Sequence, residues 1–310
     1  MTSRRLTLFL FALTTLPAVL SGCSSAENPW PEKGVRVVVS FAPLDSFAKK
    51  VVGAHGTVQC LCEGQNGVHD FEPSPNHAVM LHRADFLFIN GLGLDDAFTE
   101  KLRINCGNPK LNYVKLGELI PPADLIKMKG GDETDPHVWL GVSRAIVMVK
   151  GIRDRLKEFD PANAKDYDDN TENYVKELND LLNDGKAKFA KLKDNKLISF
   201  HESLNYFAAD FGVDVVGYIE PGPGVEPSAS RYKDIVDLCK KYHVHLVATE
   251  QQYSEVAAQN LKTELKKRDA EVTLVRVDPL EAATHEDLND PDFYVKKMRE
   301  NIDNLANGLK

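Results

Sequence analysis

The 310-residue sequence predicts an α/β fold of two lobes, each with a mostly parallel four-stranded sheet flanked by helices, joined by one long backbone helix. Three observations predict it. From Val35 onward, short β-rich runs alternate with helical stretches, the pattern of parallel α/β architecture. The same alternation returns after residue 194. Between the two units, Val142 to Lys193 has a dense helical composition and no strand signal.

The first thirty residues read as an export and anchoring signal. Arg4 and Arg5 give a positive start, Leu6 to Leu20 form an uncharged apolar run, and Ser21 and Gly22 lead into Cys23. The run falls short of the roughly 20 residues that span a bilayer. Small residues before a cysteine match a lipobox, so residues 1–22 are expected to be a lipoprotein signal peptide and Cys23 the lipid attachment point. Residues 23–34 would be a tether. Lipid chains bury at about 0.8 kcal/mol per CH₂, enough for a multiply acylated Cys23 to hold the exported chain on the periplasmic or cell-surface side of a membrane.

Each later element follows in order. Val35 to Ser40, Thr57 to Cys62, Phe86 to Asn90 and Tyr113 to Leu116 read as the strands of a first lobe, residues 35–141. Helices are expected near Asp45 to Val52, Asn76 to Arg83 and Asp95 to Leu102. In the helical region, 142–193, Asp160 and Pro161 break the pattern, after which Tyr167, Tyr174, Leu178, Leu181 and Leu182 recur at helical spacing. A helix of about 30 residues would run roughly 45 Å and brace both lobes. Gly185 is expected to weaken its continuity, since an interior glycine costs about 1 kcal/mol against alanine. Lys196 to Phe200, Asp214 to Tyr218, His245 to Thr249 and Val272 to Val277 are the expected strands of a second lobe, 194–310.

Charge and cysteines narrow the function. The net charge is −8, from 38 Lys and Arg against 46 Asp and Glu, with no basic block, which argues against nucleic acid as a partner. Of the four cysteines after Cys23, Cys60 and Cys62 fall on one strand, where they are expected to face opposite ways and not to pair; the connectivity with Cys106 and Cys239 stays open.

The nine histidines are sorted by position, because ligands in open α/β sheets bind outside the carboxyl ends of strands. His201 follows a strand directly, Asp278 follows another, and His69 follows a third through a short loop with Gly64 and Gly67. His55, His77, His82, His243 and His245 precede strands or lie on helices, and His285 sits among Glu286 and Asp287; these read as packing or solvated residues. Position alone leaves His137 undecided. Three neutral imidazoles and one carboxylate would suit a borderline divalent ion such as Zn2+.

The sequence also resembles the metal-binding lipoproteins of zinc and manganese ABC importers. The resemblance rests on Gly67-Val68-His69-Asp70-Phe71-Glu72-Pro73, Ala84-Asp85, Asn90 to Leu94, Asp135-Pro136-His137-Val138-Trp139-Leu140, His201-Glu202 with Tyr206-Phe207, Glu226-Pro227-Ser228, Thr249-Glu250 and Asp278-Pro279-Leu280, in that order over nearly the whole mature chain. It implies a metal in the cleft between two lobes, with His69 and His137 from the first and His201 and Asp278 from the second. Glu250 would be a supporting or substitute ligand. Gly67 and Val68 stand where the family usually has Asp-Pro. A histidine at the position of His201 goes with zinc, whereas the Lys129 to Thr134 stretch lacks the histidines of many zinc-specific loops. The expected ion is therefore Zn2+, with Mn2+ the alternative, and the expected partners are an ABC permease in the cytoplasmic membrane and the lipid bilayer, for a chain acting as a monomer.

Two readings of other classes stand beside it. An exported zinc hydrolase would use a similar ligand set, but His201-Glu202 is not followed by the second histidine of a His-Glu-x-x-His helix. A binding protein for a larger solute, such as a siderophore or cobalamin, would need aromatic or cationic groups at strand ends that offer histidines instead. An adhesin role could coexist with metal capture.

Overall fold

Runs rich in valine, leucine and phenylalanine, apolar on both faces, build two parallel sheets. The computed structural model describes residues 30–31, 33–64, 67–220, 228–250 and 255–310. In chain order its elements are β1 (Val35–Val39), α1 (Ala42–Val52), β2 (Gly56–Cys60), α2 (Pro75–His82), β3 (Phe86–Ile89), α3 (Asp96–Asn105), β4 (Asn112–Lys115), α4 (Val142–Phe159) and α5 (Ala164–Phe189). The second half adds β5 (Lys196–Ser199), α6 (Asn205–Phe211), β6 (Asp214–Tyr218), α7 (Ala229–Tyr242), β7 (Leu246–Glu250), α8 (Glu255–Lys267), β8 (Thr273–Val277), α9 (His285–Leu288) and α10 (Phe293–Gly308). The sheets have the orders β2-β1-β3-β4 and β6-β5-β7-β8, with every strand pairing parallel. Their central strands are buried on both faces, as a parallel sheet covered by helices requires. The eight expected strands are all present, displaced by no more than a residue or two at their ends.

One long helix, α5, joins the two sheets as expected, with α4 before it. Pro161 cannot continue α4, whose last turn ends at Phe159, and the chain restarts as the 26-residue α5, roughly 39 Å long. Leu178, Leu181, Leu182 and Phe189 on α5 join residues of both sheets in one continuous core, to which α10 adds Tyr294, Met298 and Ile302. Two smaller cores lie on the outer faces of the sheets. Packing of α4, α5 and α10 into this shared core sets the strand ends of the two halves opposite each other.

Gly185 does not interrupt α5. A Cβ there would lie 2.3 Å from Phe211 Cε1 and 3.1 Å from Ile302 Cδ1, so the glycine is the price of close helix packing. Phe211 cannot swing away, being buried against Phe189 and Phe207. Gly185→Ala gains about 1 kcal/mol of helix propensity but overpacks the contact by about 1–3 kcal/mol. The expected net result is a lower melting temperature, checked by thermal unfolding of the two proteins.

The cysteine reading needs one correction. Strand residues two apart share a face, and the Cys60 thiol lies 3.6 Å from the carbonyl oxygen of Cys62, just beyond the end of β2. Cys60, Cys62, Cys106 and Cys239 are all free. Burial pushes the thiols of Cys60 and Cys62 up, which favours their protonated form. Cys23, residues 1–22 and most of the expected tether, and Glu226 and Pro227, lie outside the described residues. Among the described residues no helix is long and apolar enough to cross a membrane.

Candidate metal site

Four side chains converge between the two sheets. His69 comes from a 3₁₀ turn, Val68–Asp70, beyond β2, and His137 immediately precedes another, Val138–Leu140, that leads into α4. His201 follows β5, and Glu281 follows β8. One ligand-type atom from each lies within 4.8 Å of all the others. His137 Nε2 and His201 Nε2 are 3.4 Å apart, and Glu281 Oε1 is 3.5 Å from His69 Nε2, 3.7 Å from His137 Nε2 and 4.0 Å from His201 Nε2.

The carboxylate of the set is Glu281 and not Asp278. Asp278 directs its carboxylate away from the imidazoles: Oδ1 accepts the Leu280 amide at 2.8 Å, and Oδ2 lies 3.3 Å from Lys297 Nζ. This is an Asx turn, and with Leu280 in the left-handed region at φ 61° it reverses the chain so that Glu281 enters the cleft. A sequence signal for this existed, since Asp-Pro itself favours turn initiation and makes the next carboxylate the better candidate.

Each buried imidazole is aimed by a carboxylate behind it. Asp135 Oδ1 lies 2.7 Å from His137 Nδ1, and its Oδ2 accepts from Asn205 Nδ2 at 2.9 Å. Glu250 Oε2 lies 2.7 Å from His201 Nδ1, while its Oε1 accepts from Ser203 Oγ at 2.9 Å. A carboxylate beside Nδ1 favours a proton on that nitrogen and leaves the Nε2 lone pair for the centre, the relation typical of metal-binding histidines. Glu250, at the end of β7, thus stands behind an imidazole and outside the four-atom cluster. His137, His201 and Glu281 are buried, and His69 keeps 25% of its side chain exposed.

The electrostatics favour a cation at the centre. Glu281 Oε1 is buried without a hydrogen-bond partner among the described residues. Burial alone would push its carboxyl up, but the three imidazoles, His69 foremost, outweigh this and hold it below the usual carboxylate range. For His201, burial disfavours the charged ring, yet Glu250 overrides it and raises the pKa. Four atoms around zinc at about 2.0–2.1 Å would stand roughly 3.3 Å apart in a tetrahedron. Four of the six spacings, at 3.4–4.0 Å, are close to that, and all six lie within 4.8 Å.

The other histidines serve the fold. His77 Nδ1 accepts the Ser74 amide at 2.9 Å as part of a capping box, His82 Nδ1 is 2.8 Å from the Cys106 carbonyl, His55 Nε2 is 2.8 Å from Asp166, and His243 ends α7 in the left-handed region. His285 lies outside the cluster, 2.9 Å from Glu63.

Fold and cluster together define a two-lobed protein with a candidate metal site between its sheets. The chain belongs to the family described as ZnuA, zinc-uptake complex component A, periplasmic, whose pattern matches residues 37–308. It is similar to the zinc-binding protein AdcA of Streptococcus pyogenes serotype M6, 28% identical over 305 residues that make up 91% of this chain and 57% of that protein. The chain therefore spans less than two thirds of the length of that relative. The manganese-binding lipoprotein MntA of Halalkalibacterium halodurans is 25% identical over 97% of this chain and 98% of its own length. Among solved structures, the Zn(II)-bound ZnuA-like domain of Streptococcus pneumoniae AdcA superimposes with a TM-score of 0.73 at 26% identity, covering 89% of this chain and 99% of that domain. The hydrolase alternative is set aside, because the family is one of binding proteins.

Proposed function

We propose that this chain is the capture component of a metal importer, holding one divalent transition-metal ion, zinc in preference to manganese, between His69, His137, His201 and Glu281 and handing it to an ABC permease. The observation that carries the reading is the convergence of three Nε2 atoms on one buried carboxylate oxygen without a hydrogen-bond partner. Three nitrogens to one oxygen favour zinc, since manganese prefers oxygen-rich shells. The names of relatives point both ways, to zinc for AdcA and manganese for MntA. The metal is cargo, and the chain's chemistry is to strip its water, hold it and release it. Export and anchoring through Cys23 belong to the same proposal, with the chain acting as a monomer. The test is competitive binding of zinc and manganese to the soluble form, residues 24–310: zinc should displace manganese, and the reverse order would assign the site to manganese.

Acid should weaken the site. An imidazole must lose its proton to bind metal, and the raised pKa of His201 lets protons compete already above the ordinary histidine value of about 6.5. Glu281, with its pKa lowered, stays ionised over that range and adds nothing to the effect. Zinc affinity is therefore expected to fall as pH drops from 7.5 to 5.5, by about tenfold per unit for each proton displaced. Isothermal titration across that range, in the presence of a competing chelator of known pH dependence, checks it.

A further inference from the structure

The loop carrying His69 and the loop carrying Glu281 are fastened to each other across the lobe boundary. The Gly64 amide donates to the Ala283 carbonyl at 2.8 Å, forming an isolated antiparallel bridge between segments more than 200 residues apart in sequence. Glu63 Oε1, one residue before Gly64, lies 2.9 Å from His285 Nδ1, two residues after Ala283. Inward, a Cβ at Gly67 would lie 3.3 Å from Glu281 Oε2 and 3.5 Å from Glu281 Cβ, so a side chain there would press on the Glu281 carboxylate. His285 is itself fixed at the start of α9 by the reciprocal Thr284 and Asp287 capping bonds.

We propose that this three-part clasp, Glu63 with His285, Gly64 with Ala283 and Gly67 with Glu281, positions the Glu281 carboxylate and controls how tightly and how long the ion is held. The inference rests on the metal-capture reading. Neither glycine offers a metal ligand. Gly67 acts by leaving room: with its Oε2 side against Gly67, Glu281 presents Oε1 to all three imidazoles as a single-oxygen ligand. Gly64 acts by its backbone: φ of 120° is a conformation L residues rarely adopt, and it aims the amide across the boundary. Closing the bridge seals the cleft on the side of the partly exposed His69, and opening it gives the ion an exit without parting the helices that join the lobes.

The two glycines separate steric from backbone effects. Gly67 has φ −67° and ψ 166°, open to any residue, so a side chain there meets Glu281 without straining the chain. At Gly64 a Cβ would meet no atom within 4 Å among the described residues, so substitution acts through the backbone. Gly67→Val should lower zinc affinity on the order of 10- to 100-fold, as loss of a supporting contact does, and should cost nothing further in a Glu281→Ala background. The Co2+-loaded form should show altered visible absorption, the signature of a changed ligand shell; Gly67→Ala is the milder companion should the valine variant fold poorly. Gly64→Ala should speed zinc release into a chelator on the order of tenfold. Wild-type affinity and release in both variants, or a Gly67→Val effect that adds in full to that of Glu281→Ala, would overturn the clasp while leaving metal capture standing. Failure of the wild-type chain to bind zinc would overturn both.

Discussion

His137→Ala is expected to abolish tight zinc binding with the lobes still folded. Within the cluster His137 Nε2 lies 3.4 Å from His201 Nε2 and 3.7 Å from Glu281 Oε1. Its loss removes a ligand and takes from the fully buried Asp135 the ring it aims, leaving that carboxylate the residue 137 amide and Asn205. Asp135→Asn keeps the ligand and weakens only its support, for which a 10- to 100-fold loss of affinity is typical, about 1.4–2.8 kcal/mol. The alanine variant should lose more than that. Isothermal titration of both, with circular dichroism to verify the fold, checks the ranking; equal losses would mean that His137 acts through Asp135 and not as a ligand.

Trp139→Ala is expected to be the most destabilising single change near the site. Trp139 is fully buried, its indole meets Phe41 edge-on at 4.7 Å, and Nε1 donates to the Pro279 carbonyl at 2.8 Å. Tyr294 in turn donates to the Trp139 carbonyl at 2.7 Å. The residue thus ties the His137 turn to the Asp278-Pro279 turn that delivers Glu281. Removing a buried aromatic costs about 3–5 kcal/mol, which for a chain of this size lowers the melting temperature on the order of 10 °C. A shift of only a degree or two in thermal unfolding would show that the cavity collapses and that the core does not depend on Trp139. Trp139→Phe should recover most of the packing while losing the bond to Pro279, and so should affect zinc affinity more than stability.

How much of this was legible in the sequence follows from the range over which each feature is determined. All eight strands could be read, because β-branched and aromatic runs such as Val35 to Val39 and Phe86 to Ile89 are local signals. His69, His137 and His201 could be singled out as well, two by their place after strands and one by resemblance. What failed depended on distant partners. Gly185 reads as a helix defect until Phe211 and Ile302 are seen against it. Asp278 has the right chemistry and position, but Lys297 on α10 and the left-handed Leu280 decide that its carboxylate serves the turn and Glu281 serves the cluster. The departure from Asp-Pro before His69 gains a physical meaning too, since a side chain at residue 67 would press on Glu281 Oε2, 3.3 Å from its Cβ.

The most direct test of the central claim is X-ray absorption on the zinc-loaded soluble chain. The structure predicts one zinc with three imidazole nitrogens and one carboxylate oxygen at about 2.0–2.1 Å and no sulfur shell, losing one imidazole in His201→Ala. A spectrum fitted by fewer than three imidazoles, or by a sulfur ligand from Cys60 or Cys62, would contradict it and place the metal elsewhere in the chain.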